Sequence, residues 1–98
     1  MKNLKEEELR QEMSERRLLD WELKSLSIRK TFMFKDFVQA MSFMNQCAEV
    51  AEELNHHPDW HNVYNQVDIT LNTHETGGIT LKDMQLAEAF NKIYTNYK

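Results

Sequence analysis

The chain has 98 residues, 41% of them hydrophobic and 29% charged, and this is the size of one small domain with a modest core. Only 2 Gly and 1 Pro are present while 10% of the residues are aromatic, which argues against both low-complexity sequence and wholesale disorder. The formal net charge is -4, and residues 48–98 carry eight acidic side chains against three basic ones, so the half that holds the histidines repels phosphate backbones and direct nucleic-acid binding is not expected.

Residues 1–17 are almost wholly polar, with Leu4, Leu9 and Met13 forming a thin apolar stripe, and predict a first helix whose start is frayed. From Trp21 to Phe34 the pattern becomes alternation: Trp21 and Leu23, Leu26 and Ile28, Phe32 and Phe34. Two short strands joined near Lys24-Ser25 are expected. Asp36 is a candidate N-cap, after which Phe37, Met41, Met44, Ala48, Ala51 and Leu54 recur at helical spacing. This long helix should end by His57, because Pro58 disfavours helical geometry in the residue before it.

Trp60 to Tyr64 and then Val67, Ile69 and Leu71 alternate again around Asn65-Gln66, predicting a second hairpin. Gly77-Gly78 marks a loop, and Thr80 with Asp83 three residues on has the form of a capping box for a last helix. Met84, Ala87, Phe90, Tyr94 and Tyr97 supply its apolar side. The expected fold is α+β in the order α-β-β-α-β-β-α, a four-stranded and mainly antiparallel sheet with helices packed on one face. Tyr64, Phe37, Phe90 and the six methionines are assigned to the core.

No run approaches the roughly 18 apolar residues that span a bilayer. Cys47 is the only cysteine, so no intramolecular disulfide can form, and the N-terminal residues lack the apolar core of a signal peptide. A reducing, cytoplasmic setting is expected. A chain this small with a half-covered sheet is also expected to self-associate as a dimer or tetramer.

The chemistry-bearing residues are the four histidines, His56, His57, His61 and His74, three of which fall within six positions. As local features they could simply cap a helix end, where imidazolium meets the negative end of the dipole. A zinc site would need His57 and His61 to converge with His74 or Cys47, but spacing of four brings ligands together only on a helix and Pro58 interrupts this one. Acid–base work is the remaining option, since imidazole populates both protonation states near neutral pH. No nucleophile elbow and no glycine-rich phosphate loop accompanies them. No metal is expected. Glu52 lies one turn before His56, close enough to orient an imidazole. Asp83 has a capping role to fill whether or not it serves a site, and Trp60 could stack on a ring or simply pack.

Taken together, Glu52, three residues, His56-His57-Pro58, five residues, Tyr64, nine residues, His74, eight residues and Asp83 resemble the signature of the pterin-4a-carbinolamine dehydratases. Phe34-Lys35-Asp36-Phe37 and the string Thr73-His74-Glu75-Thr76-Gly77-Gly78-Ile79-Thr80 extend the resemblance from about Trp21 to Tyr94, while residues 1–17 carry no such signal and are set apart as a helical extension of an 18–98 domain. The resemblance implies the same α-β-β-α-β-β-α order. It implies dehydration of a 4a-hydroxytetrahydropterin to quinonoid dihydropterin in tetrahydrobiopterin recycling, without a cofactor. His56, His57 and His74 become the catalytic groups, with Glu52, Trp60 and Asp83 as binding or orienting residues; His61 lies outside the motif. Animal members also serve as dimerisation cofactors of a homeodomain transcription factor. That makes protein binding the alternative function, with the nucleus a second location in that lineage.

Overall fold

The computed structural model describes all residues from Met1 to Lys98. Its elements follow the expected order: α1 (Glu6–Glu15), β1 (Glu22–Leu23), β2 (Ile28–Met33), α2 (Phe37–Leu54), β3 (Asp59–Val63), β4 (Gln66–Leu71) and α3 (Leu81–Tyr94), closed by a short 3₁₀ turn at Thr95–Tyr97. The four strands form one antiparallel sheet in the order β1-β2-β4-β3. The central pair sets Ile28 opposite Leu71, Lys30 opposite Ile69 and Phe32 opposite Val67. Period-two alternation therefore buries Ile28, Phe32, Val67, Ile69 and Leu71 on the helix-covered face.

The first hairpin is shorter than its alternation suggests. Only Glu22 and Leu23 pair with β2, and the turn is closed by Lys24 N–H donating to the Ser27 carbonyl at 2.8 Å. Leu26 sits at that turn and is exposed, so its apparent place in the alternation has no sheet behind it. Trp21, just outside the strand, is buried with its indole N–H donating to Asn91 Oδ1 at 3.0 Å.

Asp36 caps α2 as expected, its Oδ1 accepting from Gln39 N–H at 2.9 Å. The buried face, however, is the line Ala40, Phe43, Cys47 and Ala51, with Met44 and Leu54 packed partly against the core. Phe37 is 47% exposed, Met41 is only half-buried, and Ala48 lies at the edge, which corrects both the predicted stripe and the assignment of Phe37 to the core. Small residues at 40, 47 and 51 let the helix axis approach the sheet and α3 closely, while bulkier side chains are left on the flank; fit, and not hydrophobicity alone, decides which side turns inward. Tyr64 is likewise corrected. It adopts left-handed backbone geometry (φ 50°) at the turn between β3 and β4, and its ring is 62% exposed. Of the methionines, Met13 and Met84 are core and Met33 is on the exposed sheet face.

Phe32, Phe34, Phe43, Phe90, Tyr94 and Tyr97 pack edge-on or tilted, at centroid separations of 4.9–6.5 Å. Tyr94 is pinned by donating its hydroxyl to the Met33 carbonyl at 2.7 Å. Cys47 lies inside this layer, fully buried, and desolvation pushes its thiol well above the usual cysteine range. Iodoacetamide should therefore leave Cys47 unmodified in the native protein at pH 8 and alkylate it only after denaturation. Mass spectrometry of a rapidly and fully labelled native sample would contradict this packing.

Lys30 ties β2 to the segment before it. Its ammonium pairs with Asp20, donates to Asn91 Oδ1 at 3.0 Å and lies 4.4 Å from the Phe32 ring centroid. Burial alone would raise the Asp20 carboxyl, but the Lys30 hydrogen bond and charge, helped by Asn91, hold it below the usual carboxylate range. A depressed folded-state value means the stabilisation is complete above the unfolded value near pH 4 and is lost as pH falls through the folded one. Lys30→Met should abolish this increment, worth about 0.2–1 kcal/mol for so exposed a carboxylate, in urea melts at pH 7 while changing stability less at pH 2.5. Equal losses at both pH values would assign the effect to packing of the lysine stem.

Candidate functional site

The site begins where α2 stops. Asn55 takes left-handed geometry (φ 50°, ψ 46°), its N–H donates to the Glu52 carbonyl at 3.1 Å, and His56 N–H donates to the Ala51 carbonyl at 3.0 Å. This paired closure ends the helix at Leu54, three residues before His57, and satisfies two of its last carbonyls. Pro58 then carries the chain into β3. The two histidines leave the helix end in succession, one half-buried and one exposed.

The second part of the site is the turn between β4 and α3. Thr73 N–H donates to the Gly78 carbonyl at 2.7 Å, and Gly77 N–H donates back to the Thr73 carbonyl at 2.9 Å. Gly77 is left-handed (φ 69°), a conformation that glycine adopts without strain. At Gly78 a side chain would meet Asn3, whose amide donates to the Thr76 carbonyl at 2.8 Å, while Leu4 N–H donates to the Ile79 carbonyl at 2.7 Å. The N-terminal segment thus braces the loop that carries His74.

These parts meet. His56, His57 and His74 line one open cleft of about 160 Å³ together with Asn55 and Thr73. Roomier hollows lie along α1 and beside α2, but neither contains a histidine. Two of the three imidazoles are held from behind by carboxylates: His56 Nε2 is 2.5 Å from Asp83 Oδ1, and His57 Nε2 is 2.5 Å from Glu52 Oε2. The pairs differ in setting. Asp83 is wholly buried and the His56 side chain is 11% exposed, whereas His57 and Glu52 are 57% and 76% exposed. His74 is exposed at the rim, with no side-chain hydrogen bond within the chain.

Asp83 also fills the capping role read from its spacing, its Oδ2 accepting from Thr80 N–H at 2.9 Å and from the Thr73 hydroxyl at 2.9 Å. A buried carboxylate is tolerable only when so satisfied, and no buried side-chain polar atom lacks a partner. Thr73 escaped the sequence reading because a buried threonine in a loop has no periodicity to reveal it. Its only sequence signal is its place at the head of the string that runs from Thr73 to Thr80.

The remaining candidates fall elsewhere. Trp60 is half-buried on β3 opposite Ile69, packed against the core, and does not line the cleft. His61 is exposed on the uncovered sheet face, opposite Asp68. His57 lies before β3 and lines the cleft while His61 is on the uncovered sheet face, and no group of three or more His, Cys, Asp or Glu side chains is placed to share a metal ion.

Three imidazoles on one cleft, two of them backed by carboxylates, on a three-helix α+β sheet domain, form an arrangement that can give and accept protons without a nucleophile of its own. Similarity to known proteins places the chain in a family. The family model for pterin 4 alpha carbinolamine dehydratase matches residues 2–93. A Prochlorococcus marinus protein, provisionally named pterin-4-alpha-carbinolamine dehydratase, is 45% identical over 91 residues, covering 93% of each chain. A Rhizobium johnstonii protein of the same provisional name is 59% identical over 66 residues, which span 67% of this chain and 65% of that one. Among solved structures, a Brucella melitensis protein described as a transcriptional coactivator/pterin dehydratase superposes with a TM-score of 0.86 at 42% identity, over 93% of this chain and 97% of that one. A pterin dehydratase-like protein identified as a RuBisCO assembly factor, at 22% identity and a TM-score of 0.62, shares the fold. The chain belongs to the pterin-4a-carbinolamine dehydratase family.

Proposed function

We propose that this protein dehydrates 4a-hydroxytetrahydropterins by histidine acid–base catalysis, and that His56, His57 and His74 carry the reaction. The reaction is a redistribution of one proton and two electron pairs. A base removes the proton on N5, the N5–H electrons form the N5=C4a bond, and the C4a–O bond breaks with its electrons going to oxygen. An acid protonates that oxygen, and water leaves. An acid and a base must therefore face neighbouring atoms of one flat ring at the same time.

The observation that carries this reading is the convergence of three imidazoles on one cleft, two of them with Nε2 already bound to a carboxylate. Each backed ring can take a proton at one nitrogen while the carboxylate stabilises the imidazolium that forms. The cleft is shallow, suited to gripping the reacting edge of a pterin while its side chain stays in solvent. No step calls for redox chemistry or a covalent intermediate. Cytoplasmic tetrahydrobiopterin recycling, which regenerates the cofactor of aromatic amino-acid hydroxylases, is the corresponding role.

The test is to generate the 4a-carbinolamine with such a hydroxylase and follow its decay in the ultraviolet. Accelerated decay proportional to added protein supports the reading. A rate equal to the uncatalysed one favours the second function, protein binding. That alternative is supported by the coactivator description of the Brucella melitensis relative and by apolar side chains left exposed on this chain, among them Phe37, Val38, Val63 and Tyr64. The same exposed side chains support self-association: light scattering at about 50 μM should give the mass of a dimer or tetramer, and a monomer there would remove this part of the reading.

A further inference from the structure

We propose that Thr73 is a positioning residue of the site: its buried hydroxyl, set by Thr80, fixes the Asp83 carboxylate so that His56 keeps its proton on Nε2 and presents Nδ1 to the cleft. The direction of the chain follows from counting protons. Thr73 Oγ1 lies 2.8 Å from Thr80 Oγ1 and 2.9 Å from Asp83 Oδ2. A carboxylate can only accept, so the single Thr73 proton goes to Asp83, and Thr80 must donate to Thr73. Oδ2 then receives two donors, the Thr73 hydroxyl and Thr80 N–H, both buried.

With Oδ2 occupied, the remaining acceptor of Asp83 is Oδ1, which faces His56 Nε2 at 2.5 Å. The ring must place a hydrogen there. In neutral imidazole this leaves Nδ1 bare, with no hydrogen bond inside the protein, to take up or return a proton in the cleft. Thr73, Thr80 and Asp83 are at most 3% exposed, so water cannot replace the lost hydroxyl without opening the core. Thr73 is also the residue before His74 and the anchor of its turn, accepting from Gly77 N–H and donating from its own N–H to the Gly78 carbonyl. One residue thereby sets the ring state of one histidine and the position of another.

The kinetic part of this inference rests on the dehydratase reading; the ring state does not, and it can be measured separately. Long-range proton–nitrogen NMR of the imidazoles in the full chain should show that the neutral form of His56 is a single tautomer with Nε2 protonated. Thr73→Val, close in shape but without the hydroxyl, should mix the tautomers and speed exchange of the Nε2 proton, and Thr73→Ser should restore the single form. Thr80→Val, which removes the donor to Thr73, provides the same test if Thr73→Val does not fold.

In the carbinolamine assay Thr73→Val should lower kcat by about 10- to 100-fold with little change in KM, as removal of a group that orients a catalytic histidine does. Thr73→Ser should recover most of that loss. In a His56→Ala background the same Thr73→Val change should cost less than about twofold, because its effect passes through the missing ring. A single Nε2-protonated tautomer persisting in Thr73→Val, an Nδ1-protonated His56 in the wild type, or a serine variant as impaired as the valine one would each overturn the proposal. A wild-type protein that fails to dehydrate the carbinolamine while showing the expected tautomer pattern would defeat the dehydratase reading and uphold the positioning role.

Discussion

His56→Ala, His57→Ala and His74→Ala should each reduce kcat/KM for carbinolamine dehydration by about 10²–10⁴-fold, the range for loss of a general acid or base, while His61→Ala stays within about twofold of wild type. The division follows from position. The first three line the cleft, and His61 lies on the uncovered sheet face opposite Asp68. Losses should also differ in kind. His56 and His57 are tied to Asp83 and Glu52, so their removal should fall mainly on kcat, whereas the unbound ring of His74 at the rim should affect KM as well. A zinc site built on His57 and His61 would make those two losses equally severe. A capping role alone would lower stability slightly at His56 and His57 and leave turnover intact. Steady-state kinetics on the four variants therefore distinguishes three mechanisms, and a severe loss at His61 with an active His74 variant would overturn the acid–base account.

How far the sequence was readable depends on the kind of signal each feature leaves. The second hairpin was legible because β4 buries every other residue on the helix-covered face, so Val67, Ile69 and Leu71 spell out the register. The capping box was legible because Thr80 and Asp83 interact at fixed spacing, and the histidine cluster because its composition is unusual. The rotation of α2 was not, since Phe37, Met41 and Ala48 are as apolar as Ala40, Phe43 and Cys47, and only the neighbouring surfaces decide which line turns inward. Residues 1–17 stand apart in the sequence because they are almost wholly polar and carry no part of the motif. Yet Asn3 and Leu4 bind the His74 loop through hydrogen bonds that join residues more than seventy positions apart. Pairings of that kind, like Thr73 with Asp83, leave no periodicity in one sequence.

Asp83→Ala should be the most destabilising single change at the site and should also be inactive. The carboxylate satisfies three donors at once, the buried Thr80 N–H and Thr73 hydroxyl and the half-buried His56 Nε2–H. Each buried group left unpaired costs about 1–3 kcal/mol, so a total of about 3–5 kcal/mol is expected, partly relieved where His56 can turn toward water. For a domain whose whole stability is about 5–15 kcal/mol, that should lower Tm by about 12 °C or more. Asp83→Asn separates the two roles. Its amide has nearly the same shape, and with its oxygen toward Thr80 N–H and Thr73 it can still cap α3, at a cost of about 1–2 kcal/mol. Its NH₂ then points at His56, which must offer a bare Nε2 and move its proton to Nδ1. The asparagine variant should therefore be folded, with a Tm within about 10 °C of wild type, yet slowed by about 10²-fold or more, because the ring now presents the wrong nitrogen to the cleft. Circular dichroism melts beside carbinolamine kinetics give both readouts. An Asp83→Asn protein with wild-type turnover would show that His56 does not depend on this carboxylate for its ring state, and an Asp83→Ala protein melting within about 5 °C of wild type would show that the buried network contributes little to the fold.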